Sequence, residues 1–386
     1  MNADHERGAE EGGGLNAAGS VAAKATDDDA FRIALNDPAL IELCVGNRRV
    51  LVAPHIGGAI AAFYDLPVEG ENSEAAKSAG NGKNANHAKA ANHATAAKHV
   101  NPLHWLRPAS TEALAARDPL GMASFPLLPY CNRLRDARFV FNEQKIDLSR
   151  DENPFDHALH GHAWRRPWRV GMTSSNALEL HLNHEPSNEP AHHWPYRYEA
   201  TQRFELGESA NLLVTMSIRN LSDRPMPFGM GHHPYYPRTP ATRVRTNVRA
   251  MWHATKDLLP TFLGVHACVE LLASPEGMAA DAFDLDNNFA GWSRLATIDW
   301  PDERRSVILS ADAPFDHMVL YAPAAHRELL CVEPVTNTVD FLNLDAAHED
   351  IGGGILMPGE RVEARFGWQP HRAIEKPSPL SRIILK

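Results

Sequence analysis

The stretch RYEATQRFELGESANLLVTMSIR, residues 197–219, indicates the fold class because its apolar residues recur at every second position. These positions are Tyr198, Ala200, Phe204, Leu212, Val214, Met216 and Ile218. Charged and polar residues occupy most of the positions between them. Successive side chains of a strand point to opposite faces of a sheet, so a period of two predicts half-buried antiparallel strands.

The same period continues outward from this stretch. It recurs at residues 178–182 and again at 361–368, near the end of the chain. Clusters of glycine, proline and asparagine separate the periodic segments and predict turns. Helical patterns are scarce, and the best candidate is the short segment 110–116. The sequence therefore predicts an all-β fold, a large antiparallel β-sandwich with few short helices.

Composition predicts one folded region, two tails and a low-complexity insertion. Residues 1–28 and 376–386 are expected to be tails, and residues 29–375 a single β-sandwich domain. Within it, about 69–100, the chain consists mainly of Ala, Asn, Lys, Gly and His. Such a segment is expected to be a surface insertion, since the entropy cost of closing a loop grows only slowly with its length.

Charge and composition narrow the function classes. The chain of 386 residues has 48 acidic and 38 basic residues, which argues against a nucleic-acid surface. It contains neither a signal-peptide pattern nor the roughly 20 apolar residues of a membrane span, so we expect no membrane partner and a cytoplasmic location. The four cysteines are widely spaced and predict neither a disulfide framework nor a zinc knuckle.

Two segments offer an acid and a base. GHHPYY, residues 231–236, places two histidines before a proline and two tyrosines. Histidine exchanges a proton near neutral pH because its ordinary pKa is about 6.5. Glu333 follows the apolar segment 328–332 and precedes Pro334, so it is predicted at a strand end. Partial desolvation there would raise its pKa towards that of a general base, whereas an ordinary exposed turn is the alternative.

Three further segments carry polar groups suited to a hydroxyl-rich ligand. Asn132 and Arg133 end an apolar run, and the guanidinium can hold paired oxygens. HALHGHAW, residues 157–164, contains three histidines and Trp164, and strand alternation predicts His160 and His162 on one face. Asp286 begins a polar segment that is predicted to be a turn.

Metal binding is a weaker interpretation of two histidine-rich segments. The first contains His87, His93 and His99 at a spacing of six, which does not fit one face of a helix. The second is HALHGHAW, where His157 is predicted to face away from the other two histidines. Neither spacing places all three histidines of its segment on one face, so no metal site is predicted.

Six motifs in this order resemble the aldose 1-epimerase (galactose mutarotase) family. The resemblance covers most of the chain from about residue 40 to 369. Its motifs read PLLPYCNRLRDARFVF, HALHGHAW, GHHPYY, LDNNF, VEPVTN and LMPGERVEARF. The resemblance implies a very large antiparallel β-sandwich with a sugar site in a cleft on one sheet face. It also implies interconversion of the α and β anomers of free aldohexoses, with a sugar as the partner and no metal or cofactor.

The resemblance assigns roles motif by motif. His233, which directly precedes the proline, would be the general acid and Glu333 the general base. His232 is then a supporting residue. Arg133, His160 and Asp286 would bind the sugar, with Asn132 beside them and Trp164, Tyr235 or Tyr236 stacked on its ring. Ala137 stands where the family often has glycine, and the protein is expected to be a monomer or homodimer.

Three rival functions stay open at this point. A hexose-6-phosphate 1-epimerase would need a cationic pocket, which Arg135, Arg138, Arg165 or Arg166 could supply. A non-catalytic sugar-binding protein is a second possibility, because fold does not fix function. A zinc-dependent sugar isomerase is a third, and it would require bound metal.

Overall fold

A computed structural model describes residues 39–67, 102–149, 155–186, 193–209 and 211–372. The predicted insertion at about 69–100 and the two predicted tails lie outside the described residues, as do His87, His93 and His99. The domain boundaries therefore stay predictions.

Strands dominate the described residues. The first thirteen are β1 Ile41–Val45, β2 Arg48–Ala53, β3 Ala59–Asp65, β4 Leu103–His104, β5 Pro126–Leu127, β6 Arg133–Leu134, β7 Arg138–Phe141, β8 Gln144–Asp147, β9 Ala158–Leu159, β10 Arg169–Thr173, β11 Ala177–His184, β12 Tyr198–Leu206 and β13 Leu212–Asn220. The others are β14 Met226–Phe228, β15 Gly231–His232, β16 Arg243–Thr246, β17 Ala250–Ala254, β18 Pro260–Gly264, β19 Met278–Ala279, β20 Leu285–Ala290, β21 Leu295–Trp300, β22 Arg305–Ala311, β23 His317–Ala322, β24 Cys331–Val335, β25 Gly354–Leu356 and β26 Arg361–Arg372.

Helices are short and few in the described part of the chain. The α-helices are α1 Thr111–Ala116, α2 Ala267–Ala273 and α3 His348–Ile351. The predicted helix at 110–116 is confirmed as α1, and Ser110 caps it by accepting a hydrogen bond from the Ala113 amide at 3.1 Å. Single turns of 3₁₀ helix lie at Pro119–Gly121, Arg135–Ala137, Ala163–Arg165 and Pro301–Glu303. No helix among the described residues is long and apolar enough to cross a membrane.

Two large antiparallel sheets organise the fold. Nine strands lie in the order β10-β11-β12-β13-β26-β22-β21-β16-β19, and seven in the order β18-β17-β20-β23-β24-β15-β5. The stretch 197–219 forms β12 and β13, which pair from Tyr198 with Asn220 to Leu206 with Leu212. A further sheet contains β1 to β4, and smaller pairs are β14-β25, β6-β9 and β7-β8.

The two large sheets pack face to face. One continuous cluster of buried side chains includes Val214 and Ile298 from the nine-stranded sheet and Phe289 and Met318 from the seven-stranded sheet. Each fully buried side chain of this size stabilises the fold by roughly 1.5–3 kcal/mol relative to an exposed one. The predicted all-β sandwich is therefore confirmed.

The seven-stranded sheet is also covered on its other face. All five residues of β24 are buried. Val332 belongs to the core between the large sheets, whereas its neighbour Cys331 belongs to a second buried cluster with Phe125 and Trp164. Alternate residues of a strand share a face, so Glu333 and Cys331 lie on the same face of the sheet. This face packs against the segments that contain Phe125 and Trp164.

Candidate active site

The centre of the site is a contact between the predicted acid and base. His233 Nε2 lies 3.3 Å from Glu333 Oε1, and the two residues are 8% and 1% exposed. Glu333 is the middle residue of β24, so the prediction of a strand end is wrong. The exposed-turn alternative is also wrong, because this carboxylate is buried.

The two adjacent histidines point to opposite sides of the sheet. His233 follows β15, its amide donates to the Phe125 carbonyl at 2.9 Å, and its ring stacks on Phe125 at a centroid distance of 4.8 Å. His232 faces the core between the large sheets, where Nδ1 hydrogen-bonds with the Ser124 hydroxyl and Nε2 with Gln202 Oε1 at 3.2 Å. His233 therefore shares the face of Glu333, and His232 is a structural residue.

Burial favours the neutral forms of both members of the pair. Desolvation lowers the pKa of His233 to about 3, and the positive charges of Arg107 and Arg133 act in the same direction. Desolvation raises the pKa of Glu333 well above its ordinary value, with Asp286 adding to the effect and Arg133 opposing it. Burial therefore favours the neutral imidazole of His233 and the protonated carboxyl group of Glu333.

The predicted polar contacts form a second group beside the pair. Arg133 donates to Asn132 Oδ1 at 3.1 Å and to Asp286 Oδ2 at 3.5 Å. The backbone amide of Asn132 donates to His160 Nδ1 at 3.0 Å, and the His160 ring lies edge-on to His233 at 5.5 Å. Since Nδ1 of His160 is an acceptor, its other ring nitrogen carries the proton and is a donor.

The position of His160 depends on a left-handed turn. His160 and Gly161 have φ angles of 61° and 65°, so strand alternation does not apply to this segment. The prediction that His160 and His162 share a face is wrong: His162 contacts the Tyr198 hydroxyl at 3.0 Å. A Cβ on Gly161 would lie 2.1 Å from the Leu128 carbonyl oxygen, which restricts this position to glycine.

Asp286 reaches the site from a strand rather than from a turn. It lies in β20 and pairs with Tyr321 of β23, so the predicted turn is wrong. Burial raises its pKa, and Arg133 opposes the shift. The following asparagines bond across strands; Asn287, for example, donates to the Trp252 carbonyl at 3.0 Å.

Aromatic rings form one wall of the site. Phe125 stacks on Trp164 at 5.3 Å, and Tyr235 stacks on His233 at 4.7 Å. Tyr236 points to the opposite side, where its hydroxyl accepts from Trp368 Nε1 at 2.8 Å inside the main core. Trp164 and Tyr235 therefore lie close to the pair, whereas Tyr236 does not.

Sequence reasoning missed three residues that lie close to the pair: Phe125, Arg107 and Cys331. Phe125 directly precedes the PLLPYCNRLRDARFVF motif, but its apolar side chain gave no sign of a role in holding His233. Arg107 lies with its guanidinium carbon 4.1 Å from the Tyr235 ring centre and donates to the Met122 carbonyl at 3.1 Å. A single arginine in a connecting segment has no distinctive pattern.

The third missed residue is Cys331, which creates the one trio of potential metal ligands found in the described residues. One ligand atom each from His233, Cys331 and Glu333 lies within 4.8 Å of the other two. Cys331 and His233 are far apart in the sequence, so spacing rules for cysteines could not find this group.

Comparison with known sequences places the chain in a family. Residues 93–368 match the sequence profile of the family described as aldose 1-epimerase. The chain belongs to the aldose 1-epimerase family. Among curated proteins, it is 28% identical over 272 residues to the uncharacterized protein YphB of Escherichia coli K12, covering 68% of this chain and 87% of YphB. YihR of the same strain is 24% identical over 117 residues, 30% of this chain and 37% of YihR.

Solved structures of a galactose mutarotase-like protein and of an aldose epimerase homologue have the same fold. A galactose mutarotase-like protein from Clostridium acetobutylicum aligns with a TM-score of 0.69 and 17% identity, covering 86% of this chain and 95% of that one. The GalM/aldose epimerase homologue from C. elegans aligns with a TM-score of 0.64 and 12% identity, covering 87% and 99%. These alignments support the large antiparallel β-sandwich architecture for this chain.

Proposed function

We propose that this member of the aldose 1-epimerase family interconverts the α and β anomers of free aldohexoses. The observation that carries the proposal is the buried contact of His233 Nε2 with Glu333 Oε1 at 3.3 Å. Opening a pyranose ring requires removal of the proton on the C1 hydroxyl and protonation of the ring oxygen. An acid and a base that share one proton supply both transfers.

Glu333 as carboxylate takes the C1 hydroxyl proton while His233 as imidazolium protonates the ring oxygen. Rotation about the bond from C1 to C2 turns the aldehyde over, and the reverse transfers close the other anomer. Burial favours the neutral pair, with the proton on Glu333 rather than on His233. A single transfer across the contact converts this neutral pair into the reactive ion pair without changing the net charge, so bound sugar hydroxyls can stabilise the ion pair at little electrostatic cost.

The remaining polar residues are suited to orienting the sugar. Arg133 offers a donor fork, Asp286 offers acceptors, and His160 offers one ring N–H. Trp164 offers apolar ring surface to a pyranose. The Tyr235 ring already contacts His233 and Arg107, so its role is to hold His233 in place. Asn132 holds both Arg133 and the turn that carries His160, so its role is to position them.

We favour a free sugar over a sugar phosphate because three of the four arginines considered for a phosphate pocket already have partners. Two of the arginines considered for a phosphate pocket are matched by carboxylates: Arg135 bonds Asp340 at 3.1 Å, and Arg138 bonds Asp147 at 3.2 Å. Arg165 lies over the Trp164 ring at 5.1 Å. A catalytic role is favoured over sugar binding alone, since a binding protein does not need a buried acid and base in contact.

The test is polarimetry of freshly dissolved α-glucose and α-galactose with Glu333→Gln and His233→Asn. Each variant should lose about 100- to 10,000-fold in kcat, because each removes one proton-transfer group. Glu328→Gln is the matched control, as this carboxylate is exposed and precedes the same strand. Rates near that of the parent in either variant would refute the assignment, and faster turnover of glucose 6-phosphate would transfer it to the phosphate-specific alternative.

A further inference from the structure

The trio of His233, Cys331 and Glu333 is a donor set with chemistry beyond proton transfer. Its ligand atoms lie within 4.8 Å of one another, and all three residues are buried. The thiol of Cys331 has no role in opening a sugar ring. It lies beside Glu333 because residues two apart in a strand face the same way. The second carboxylate oxygen of Glu333 is buried and has no hydrogen-bond partner among the described residues.

Ligand type selects the cation. Imidazole, thiolate and carboxylate together suit Zn²⁺, whereas Mg²⁺ and Ca²⁺ take oxygen ligands almost exclusively. Tetrahedral zinc holds its ligands at about 2.0–2.3 Å, which separates them from each other by roughly 3.3–3.8 Å. The measured 3.3 Å between His233 and Glu333 is already in this range. The sulfur has to move by about 1.3 Å at most, within reach of a side-chain rotation.

We propose that Zn²⁺ binds to His233 Nε2, Cys331 Sγ and a carboxylate oxygen of Glu333, and that it inhibits the enzyme by occupying both proton-transfer groups. On binding, the Cys331 thiol and the Glu333 carboxyl group each release a proton to solvent. The metal and the sugar then compete for the same residues. The inhibition rests on the proposed function, whereas the binding does not.

Binding is measured by isothermal titration calorimetry of ZnCl₂ into the untagged full-length protein. His87, His93 and His99 are replaced by alanine in all samples, because this segment could bind zinc independently. One site per chain is expected. Cys331→Ala should weaken the affinity by at least about 100-fold, since loss of outer-shell partners alone costs about 10- to 100-fold. Cys268→Ala, at another buried thiol outside the site, should not change it.

Inhibition is measured by polarimetry, with each variant compared to its own rate without metal. Zn²⁺ should raise the apparent KM for galactose in the parent, and Mg²⁺ should not. Cys331→Ser keeps the size of the side chain and should lose this sensitivity. Equal zinc affinity in the parent and Cys331→Ala would overturn the site, and zinc-dependent acceleration would overturn the inhibitory role. A protein that binds zinc through Cys331 without mutarotase activity would refute the proposed function but not the site.

Discussion

The protonation state of the acid/base pair predicts an unusual pH profile. If activity required an ordinary imidazolium with the pKa of 6.5, the active fraction would rise from about 3% at pH 8 to about 97% at pH 5, a change of about 30-fold. Burial lowers the pKa of His233 to about 3 instead. The pair then keeps its proton down to about pH 3, and we expect kcat/KM to vary by less than about twofold below the raised pKa of Glu333.

Activity is expected to fall at both low and high pH, and the directions of the pKa shifts identify the group responsible for each fall. Below about pH 3, His233 is protonated while Glu333 also carries a proton, so the pair contains no base. At high pH, activity falls as Glu333 loses its proton, above the ordinary range of a carboxyl group because its pKa is raised. The assay is polarimetry of α-galactose from pH 4.5 to 8, corrected for the uncatalysed rate. A loss of half or more of the activity on acidification from pH 6 to pH 4.5 would refute the reasoning, because His233 should not gain a proton in that range.

Three other predictions concern binding and stability. Arg133→Lys should raise KM roughly tenfold or more with a smaller effect on kcat, because lysine lacks the donor fork of arginine. Steady-state kinetics is the test, and a larger effect on kcat than on KM would contradict a binding role for Arg133. Burial lowers the pKa of His232 to about 3, so the unfolded chain binds a proton between pH 6.5 and 3 that the folded chain excludes. The melting temperature should fall in that window, and His232→Gln should reduce the slope of unfolding free energy by up to about 1.4 kcal/mol per pH unit; an unchanged slope would contradict a neutral His232. Gly161→Ala should destabilise the fold by about 2 kcal/mol or more, since its φ is positive and a Cβ would contact Leu128; an unchanged denaturant midpoint would contradict this.

Periodicity was sufficient to predict the sheets, but not the strand that carries the base. A proline commonly ends a strand, so the sequence placed Glu333 at an edge. The strand continues through Pro334 because its neighbour β15 is only two residues long and pairs with β24 at Val335 alone. Proline has no backbone N–H, but its absence therefore removes few hydrogen bonds between β24 and β15.

Local patterns also could not predict which distant side chains meet. The segment around Asp286 has the composition of a turn, yet pairing along the whole of β20 with β23 overrides that preference. The contact of Phe125 with His233 and the proximity of Cys331 to both catalytic groups depend on how β15 lies between β5 and β24. Strand order of this kind is a property of the tertiary structure.

The direct contact between His233 and Glu333 means that the protons exchanged with the sugar need not come from solvent. Over a complete cycle on the proposed mechanism, the sugar gives one proton and receives one, and the pair ends with the number it had at the start. Buried side chains in contact can return protons to each other without a water molecule or a buffer ion as carrier. The turnover rate of a saturated enzyme should therefore be independent of buffer concentration.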